Sequence, residues 1–147
     1  MRRWLARLCL VVAVISSGTW IALQADAWWF QVRGETRLEQ LIVEGPSMEL
    51  PGEPGSLVGR IEIPRVGVSA LIVLGVDEQS LRRAVGLVPG SVPPGCRGNS
   101  VLAGHRDTYF RGLREVKTGD RIQIITRSGS IGTRSTQPGS WRLGKRV

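Results

Sequence analysis

A chain of 147 residues is about one domain long. Its 20 Lys+Arg against 12 Asp+Glu give a net charge of +8 and a sequence pI near 11.1. At 41% hydrophobic it is too apolar for wholesale disorder. Two cysteines cannot build a disulfide scaffold, and a single histidine argues against a His-based zinc site.

The charge is unevenly placed. Arg2, Arg3 and Arg7 lie in a head without acids, and Arg127, Arg134, Arg142, Lys145 and Arg146 lie in a tail without acids. From Trp28 to Thr126 there are 12 basic and 11 acidic residues, so the body is nearly neutral. A nucleic-acid-binding domain carries its basic stripe on the folded body. No nucleic-acid partner is therefore expected.

Leu8 to Leu23, LCLVVAVISSGTWIAL, runs 16 residues without a charge. With Trp4 to Ala6 it makes a slightly short membrane span. The arginines before it place the N-terminus in the cytoplasm and everything after residue 27 outside. Trp20, Trp28, Trp29 and Phe30 suit the far interface, which favours an uncleaved single-pass anchor over residues 1–27. The rival is a cleaved signal peptide, for which Ala25-Asp26-Ala27 is an A-x-A-like site. Cys9 falls inside the span as apolar filler.

Residues 28–56 are expected to form a helix and a linker. Gln31 to Glu44 can continue as an amphipathic helix with Leu38, Leu41 and Ile42 on one face. Gly45 to Ser56, GPSMELPGEPGS, has three prolines and three glycines, as a spacer would. A domain is expected to begin at Leu57. Gly59, Ile61 and Ile63 alternate with polar neighbours until Pro64, the pattern of a strand with one apolar face. Ala70 to Leu74 is a continuous apolar run, hence a buried strand. Asp77 to Ala84 reads as one or two helical turns capped by Asp77. Gly86 to Asn99, with four glycines and three prolines, predicts a loop. Ser100 to Ala103 predicts a strand, Tyr109 to Val116 a loop or short helix, Lys117 to Asp120 a turn and Arg121 to Thr126 another strand. Many short strands between turn signals predict a mainly β barrel or sandwich.

Several strings in this body occur together in one family. They are G-x-I-x-I-P at Gly59 to Pro64, LGVDEQSL with Arg82 or Arg83, Ala84, Val85 and Gly86, and Gly98-Asn99 followed by Ala103-Gly104-His105-Arg106-Asp107. Phe110, Leu113 and Lys117-Thr118-Gly119-Asp120 follow at matching spacing. From about Gly59 to Thr126 the chain resembles the sortases, membrane-anchored cysteine transpeptidases, and is most similar to their D or E classes. The resemblance implies an eight-stranded barrel and a Cys–His–Arg site that cuts an LPxTG-like sorting signal between Thr and Gly. The thioacyl intermediate is then passed to an amine acceptor. No cofactor or metal is implied.

Within this pattern His105 takes the place of the catalytic histidine, general acid to the departing amine and base to the incoming one. Asp107 either orients His105 or restrains its loop. Arg106 is expected to be solvated or structural and Asn99 to shape the turn before the strand. The family's cysteine, on a strand reading roughly T-L-x-T-C, and the arginine one strand further on lie beyond what these 147 residues contain. Cys96, nine residues before His105 in a Pro/Gly loop, is expected to be an incidental exposed thiol rather than the nucleophile.

The sortase-like domain is expected to cover residues 57–127, the N-terminal half of the barrel. Residues 128–147 are expected to form a basic, disordered tail, because composition switches abruptly near Ser128 to Ile131. The sequence from Ile131 on is read as foreign to the family. A C-terminally truncated, marginally stable and inactive enzyme is the expectation, and a non-enzymatic single-pass protein with a residual sortase-like domain the alternative.

Overall fold

The structure is a computed structural model that describes residues 2–43 and 52–135. Most of the Pro/Gly spacer, residues 45–51, and the end of the tail, residues 136–147, lie outside the described residues. The first element is one unbroken helix, α1, Arg2–Val43. Its 42 residues span about 63 Å at roughly 1.5 Å each, about twice a bilayer's hydrocarbon core of ~30 Å. The anchor and the amphipathic stretch are thus a single rod. Leu8, Val14, Ile15, Trp20 and Leu23 are all more than half exposed, and the helix is long and apolar enough to cross a membrane.

The second half of α1 is docked rather than free. Leu38 is buried, and Phe30 packs beside it. Gly34 meets Leu71 so closely that any side chain at position 34 would strike Leu71 Cδ1. Phe30, Gly34, Leu38 and Leu41 are spaced three or four apart and share one stripe. Ile42, four residues past Leu38 and expected on that stripe, is nevertheless 40% exposed, near the end of the helix at Val43.

The body is a single six-stranded sheet in the order β4-β3-β2-β1-β5-β6. β1 (Leu57–Ile63) and β2 (Val68–Leu74) form an antiparallel hairpin around a 3-10 turn at Pro64–Val66. Pro64 stops the strand because it has no N–H to give the ladder. α2 (Glu78–Arg83) opens on Asp77, whose carboxylate accepts from Ser80 N at 3.0 Å, the expected cap. β3 (Val85–Leu87) then lies parallel to β2. β4 (Leu102–Ala103) pairs with β3, a 3-10 helix covers Arg111–Glu115, and β5 (Arg121–Thr126) pairs with β1.

Two expectations change. Gly86 was read as the start of a loop, yet it is the buried centre of β3. A Cβ there would collide with the Gly75 carbonyl oxygen, so glycine is set by backbone proximity and not by a turn. The expected disordered tail fails over its first residues. β6 (Gly129–Arg134) forms a hairpin with β5, from Thr126↔Gly129 to Arg121↔Arg134, and buries Ile131 and Thr133. The alternation of Ile131, Gly132, Thr133 and Arg134 is a strand signal too short to stand out against the Arg/Gly/Ser composition. The sheet is not closed: β4 and β6 are its edges.

The core has two sides because β2 is buried on both faces. Val68, Ala70 and Ile72 join Ile61, Ile63, Val85, Leu87, Ile122 and Ile124 on one face, with Phe110, Leu113 and Val116 over them. Leu71 and Val73 point the other way, against Leu38 and Ala84. Leu71→Ala should therefore loosen α1 from the sheet and cost about 2–5 kcal/mol, the usual penalty for emptying a buried leucine site. Thermal unfolding of the full chain in detergent, followed by near-UV circular dichroism, checks this.

Candidate active site

β4 ends at Ala103, and the chain leaves the sheet through Gly104 and His105. The His105 carbonyl accepts from Thr108 N at 3.3 Å and Phe110 N at 3.1 Å, closing residues 105–110 into a compact turn. Phe110 packs back over Gly104: a Cβ at that position would sit 3.0 Å from Cδ2 and Cε2 of the ring. Phe110, Tyr109 and Leu113 are seated on the inner core, while His105 to Thr108 are exposed. The hydrogen-bonded turn thus presents the imidazole to solvent.

Asp107 does not reach His105. Its carboxylate binds Arg114 Nη2 at 2.9 Å and lies 3.5 Å from Arg106 Nε. The Arg114 contact ties the turn to the following 3-10 helix. Arg106 is 83% exposed, as expected.

Cys96 is half-buried, not exposed as expected. It lines a cleft of about 600 Å³ between the C-terminal half of α1 and the β5–β6 hairpin, with Arg33, Leu38, Leu41, Pro93 and Arg127. His105 is not among the residues lining that cleft, so the structure does not bring the thiol and the imidazole into one site.

The Lys117–Asp120 turn is pinned electrostatically. Asp120 accepts from Lys117 N at 2.7 Å, and Arg65 grips both its oxygens at 2.5 and 2.6 Å. Arg65 also donates to the Glu115 carbonyl. The Arg65 hydrogen bond holds the Asp120 carboxyl below its ordinary value, and Asp120 in return raises the guanidinium. Asp77 is likewise held low, by its hydrogen bonds from Ser80.

Residues 61–133 match the family model described as Sortase domain. Over 79 residues the chain is 38% identical to Sortase D of Bacillus subtilis (strain 168). Residues 61–133 are thus a sortase-family domain. The family match covers Ile131 to Thr133, so β6 is sortase sequence and not the foreign tail its composition suggested. The chain spans 40% of the length of that curated sortase, and the aligned stretch is 54% of this chain. Its fold is similar to that of a Clostridium perfringens sortase D5 transpeptidase, with TM-score 0.55 and 24% identity over 70% of this chain and 62% of that one. It is also similar to Clostridium perfringens sortase C in complex with the C-terminal cell wall sorting signal motif, with TM-score 0.54 and 21% identity over 78% and 63% of the two chains.

One group beside the histidine loop carries no local signal in the sequence. Tyr109, four residues after His105, donates its hydroxyl to the Arg83 carbonyl at 2.6 Å and lies 3.2 Å from the Arg82 carbonyl. Only the fold brings the end of α2 beside the histidine loop.

Both low carboxyls bind fewer protons folded than unfolded near pH 4, so their contribution is present above the ordinary carboxylate range and is lost as pH falls through it. The unfolding midpoint should drop on acidification below about pH 4, and Asp120→Asn should flatten that limb. Thermal melts from pH 7 to pH 3 measure it.

Proposed function

We propose that this chain carries the acid–base half of a sortase-type cysteine transpeptidase, with His105 as its acid–base residue. The observation that supports this best is the position of His105. It leaves β4 within the family-matched stretch, on a loop fixed by Tyr109 and Phe110, with its side chain exposed. The substrate on this reading is an LPxTG-like sorting signal, and a sorting-signal motif occupies the complex of the related Clostridium perfringens sortase C. α1 acts as the anchor, N-terminus in the cytoplasm and sheet on the outer side, in keeping with Arg2, Arg3 and Arg7 before the span.

In the reaction a cysteine thiolate attacks the Thr carbonyl carbon of the Thr–Gly bond. The C–S bond forms, the C–N bond breaks, and His105 gives its proton to the departing Gly amine. An acceptor amine then attacks the thioester. His105 takes the amine's proton, the C–N bond forms, and the thiolate leaves. An arginine supplies charged donors to the oxyanion in both halves. On this reading the cysteine and the arginine are not assigned to any of these 147 residues.

The test is a panel of labelled LPxTG-type peptides given to the chain in detergent, with and without thiol alkylation. These residues alone should show no thiol-dependent cleavage. Joined to the C-terminal half of the related Sortase D, they should cleave, and His105→Ala should cut that rate by about 10²–10⁴-fold. Cleavage that survives His105→Ala overturns the assignment. Cleavage by the 147 residues alone that is lost in Cys96→Ala overturns the exclusion of Cys96.

A further inference from the structure

Arg83 is where three parts of the molecule meet. It closes α2, and its guanidinium forms a two-pronged bridge to Asp26 of α1, Nε to Oδ2 at 2.7 Å and Nη2 to Oδ1 at 3.1 Å. The same guanidinium lies 5.9 Å from the centre of the Phe30 ring. Its carbonyl oxygen accepts twice, from Gln31 Nε2 at 2.6 Å and from Tyr109 Oη at 2.6 Å. Gln31 uses its other end as well, accepting from Leu71 N of β2 at 3.2 Å. α1 therefore reaches the histidine loop through two polar links, Asp26 to the Arg83 side chain and Gln31 to the Arg83 backbone.

The energetics assign these links a geometric role. The Asp26–Arg83 pair is partly solvated, at 51% and 32% side-chain exposure, and pairs of that kind are worth about 0–1 kcal/mol. Burial of Leu38 and Leu71 holds the helix on the sheet, and the polar links fix where along the helix α2 sits. Burial also pushes the Tyr109 phenol above its ordinary value, with the Gln31 amide partly opposing, so Tyr109 remains a hydrogen-bond donor throughout the neutral range.

We infer that Tyr109 is a positioning residue for His105, and that Asp26 and Gln31 of the anchor helix set it through Arg83. The anchor is then part of the site's framework and not only a tether. Asp26 follows directly on the apolar span, three residues past Leu23, so the links tie the histidine loop to the emerging end of that span. This rests on the reading of His105 as the acid–base group, but the test reads the imidazole without substrate, so the two can fail separately.

The chain has one histidine, which makes that ring its own reporter. The full chain, labelled at histidine with ¹³C and ¹⁵N and held in lipid nanodiscs, should give one set of imidazole signals. Tyr109→Phe keeps the packed ring and removes only the hydroxyl; it should shift or double that set. Asp26→Asn and Gln31→Ala should shift it in the same direction by less. Swapping the pair, Asp26→Arg with Arg83→Asp, should return the signals toward wild type, which a merely destabilised fold would not do. Arg65→Lys, on the far pair with Asp120, should leave them in place. A wild-type His105 signal in folded Tyr109→Phe overturns the tyrosine's role. Shifted signals in Tyr109→Phe with none in either Asp26→Asn or Gln31→Ala overturn the helix's part in it. Failure of the swap to move the signals back overturns the Asp26–Arg83 link.

Discussion

The burial of β2 on both faces is the constraint on which everything else depends. A strand that is apolar at Ala70, Leu71, Ile72 and Val73 in succession needs a cover on each side. On one side the cover is the inner core, closed by Phe110, Leu113 and Val116. On the other it is α1, through Leu38 and Phe30, together with Ala84 at the end of α2. Removing α1 would leave Leu71 and Val73 facing water, so the helix and the sheet behave as one folding unit. Each buried leucine or valine is worth about 1.5–3 kcal/mol, far above the partly solvated Asp26–Arg83 and Glu35–Arg60 pairs at the same junction.

That requirement also places the histidine. β3 lies against β2 because α2 is short and Gly86 allows the Gly75 carbonyl to approach. β4 follows β3, and His105 comes two residues after β4 ends at Ala103. The loop is then fastened on both of its sides, inward by Phe110 and toward α2 by Tyr109. Two residues of strand would not hold a loop by ladder bonds alone, so the aromatic pair carries the positioning. The apolar floor and the polar link work at different levels: burial decides that the loop is ordered, and the Tyr109 hydroxyl decides where it lies.

The charge of +8 resolves in the same terms. Several of the body's charges are paired, Arg60 with Glu35 and Glu62, Arg65 with Asp120, and Arg114 with Asp107, while Arg83 pairs with Asp26 of the helix. The surplus sits in the head and the tail. The nearly neutral body and the basic head are the distribution expected of a domain that follows a membrane anchor.

Much of the strand order was legible in the sequence. Gly59, Ile61 and Ile63 before Pro64, the apolar run at Ala70–Leu74, the Asp77 cap and Arg121–Thr126 were local signals, each fixed by periodicity or by a residue's own backbone chemistry. His105 was legible as a candidate because its neighbours form a contiguous family string. Three things were not. β3 is three residues long and contains a glycine that reads as a loop until the Gly75 carbonyl is beside it. β6 is recognisable only once β5 offers it a partner. The links among Asp26, Gln31, Arg83 and Tyr109 join residues 26 to 57 positions apart. No local pattern encodes them, because a hydrogen bond between distant residues exists only after hydrophobic burial has brought their backbones together.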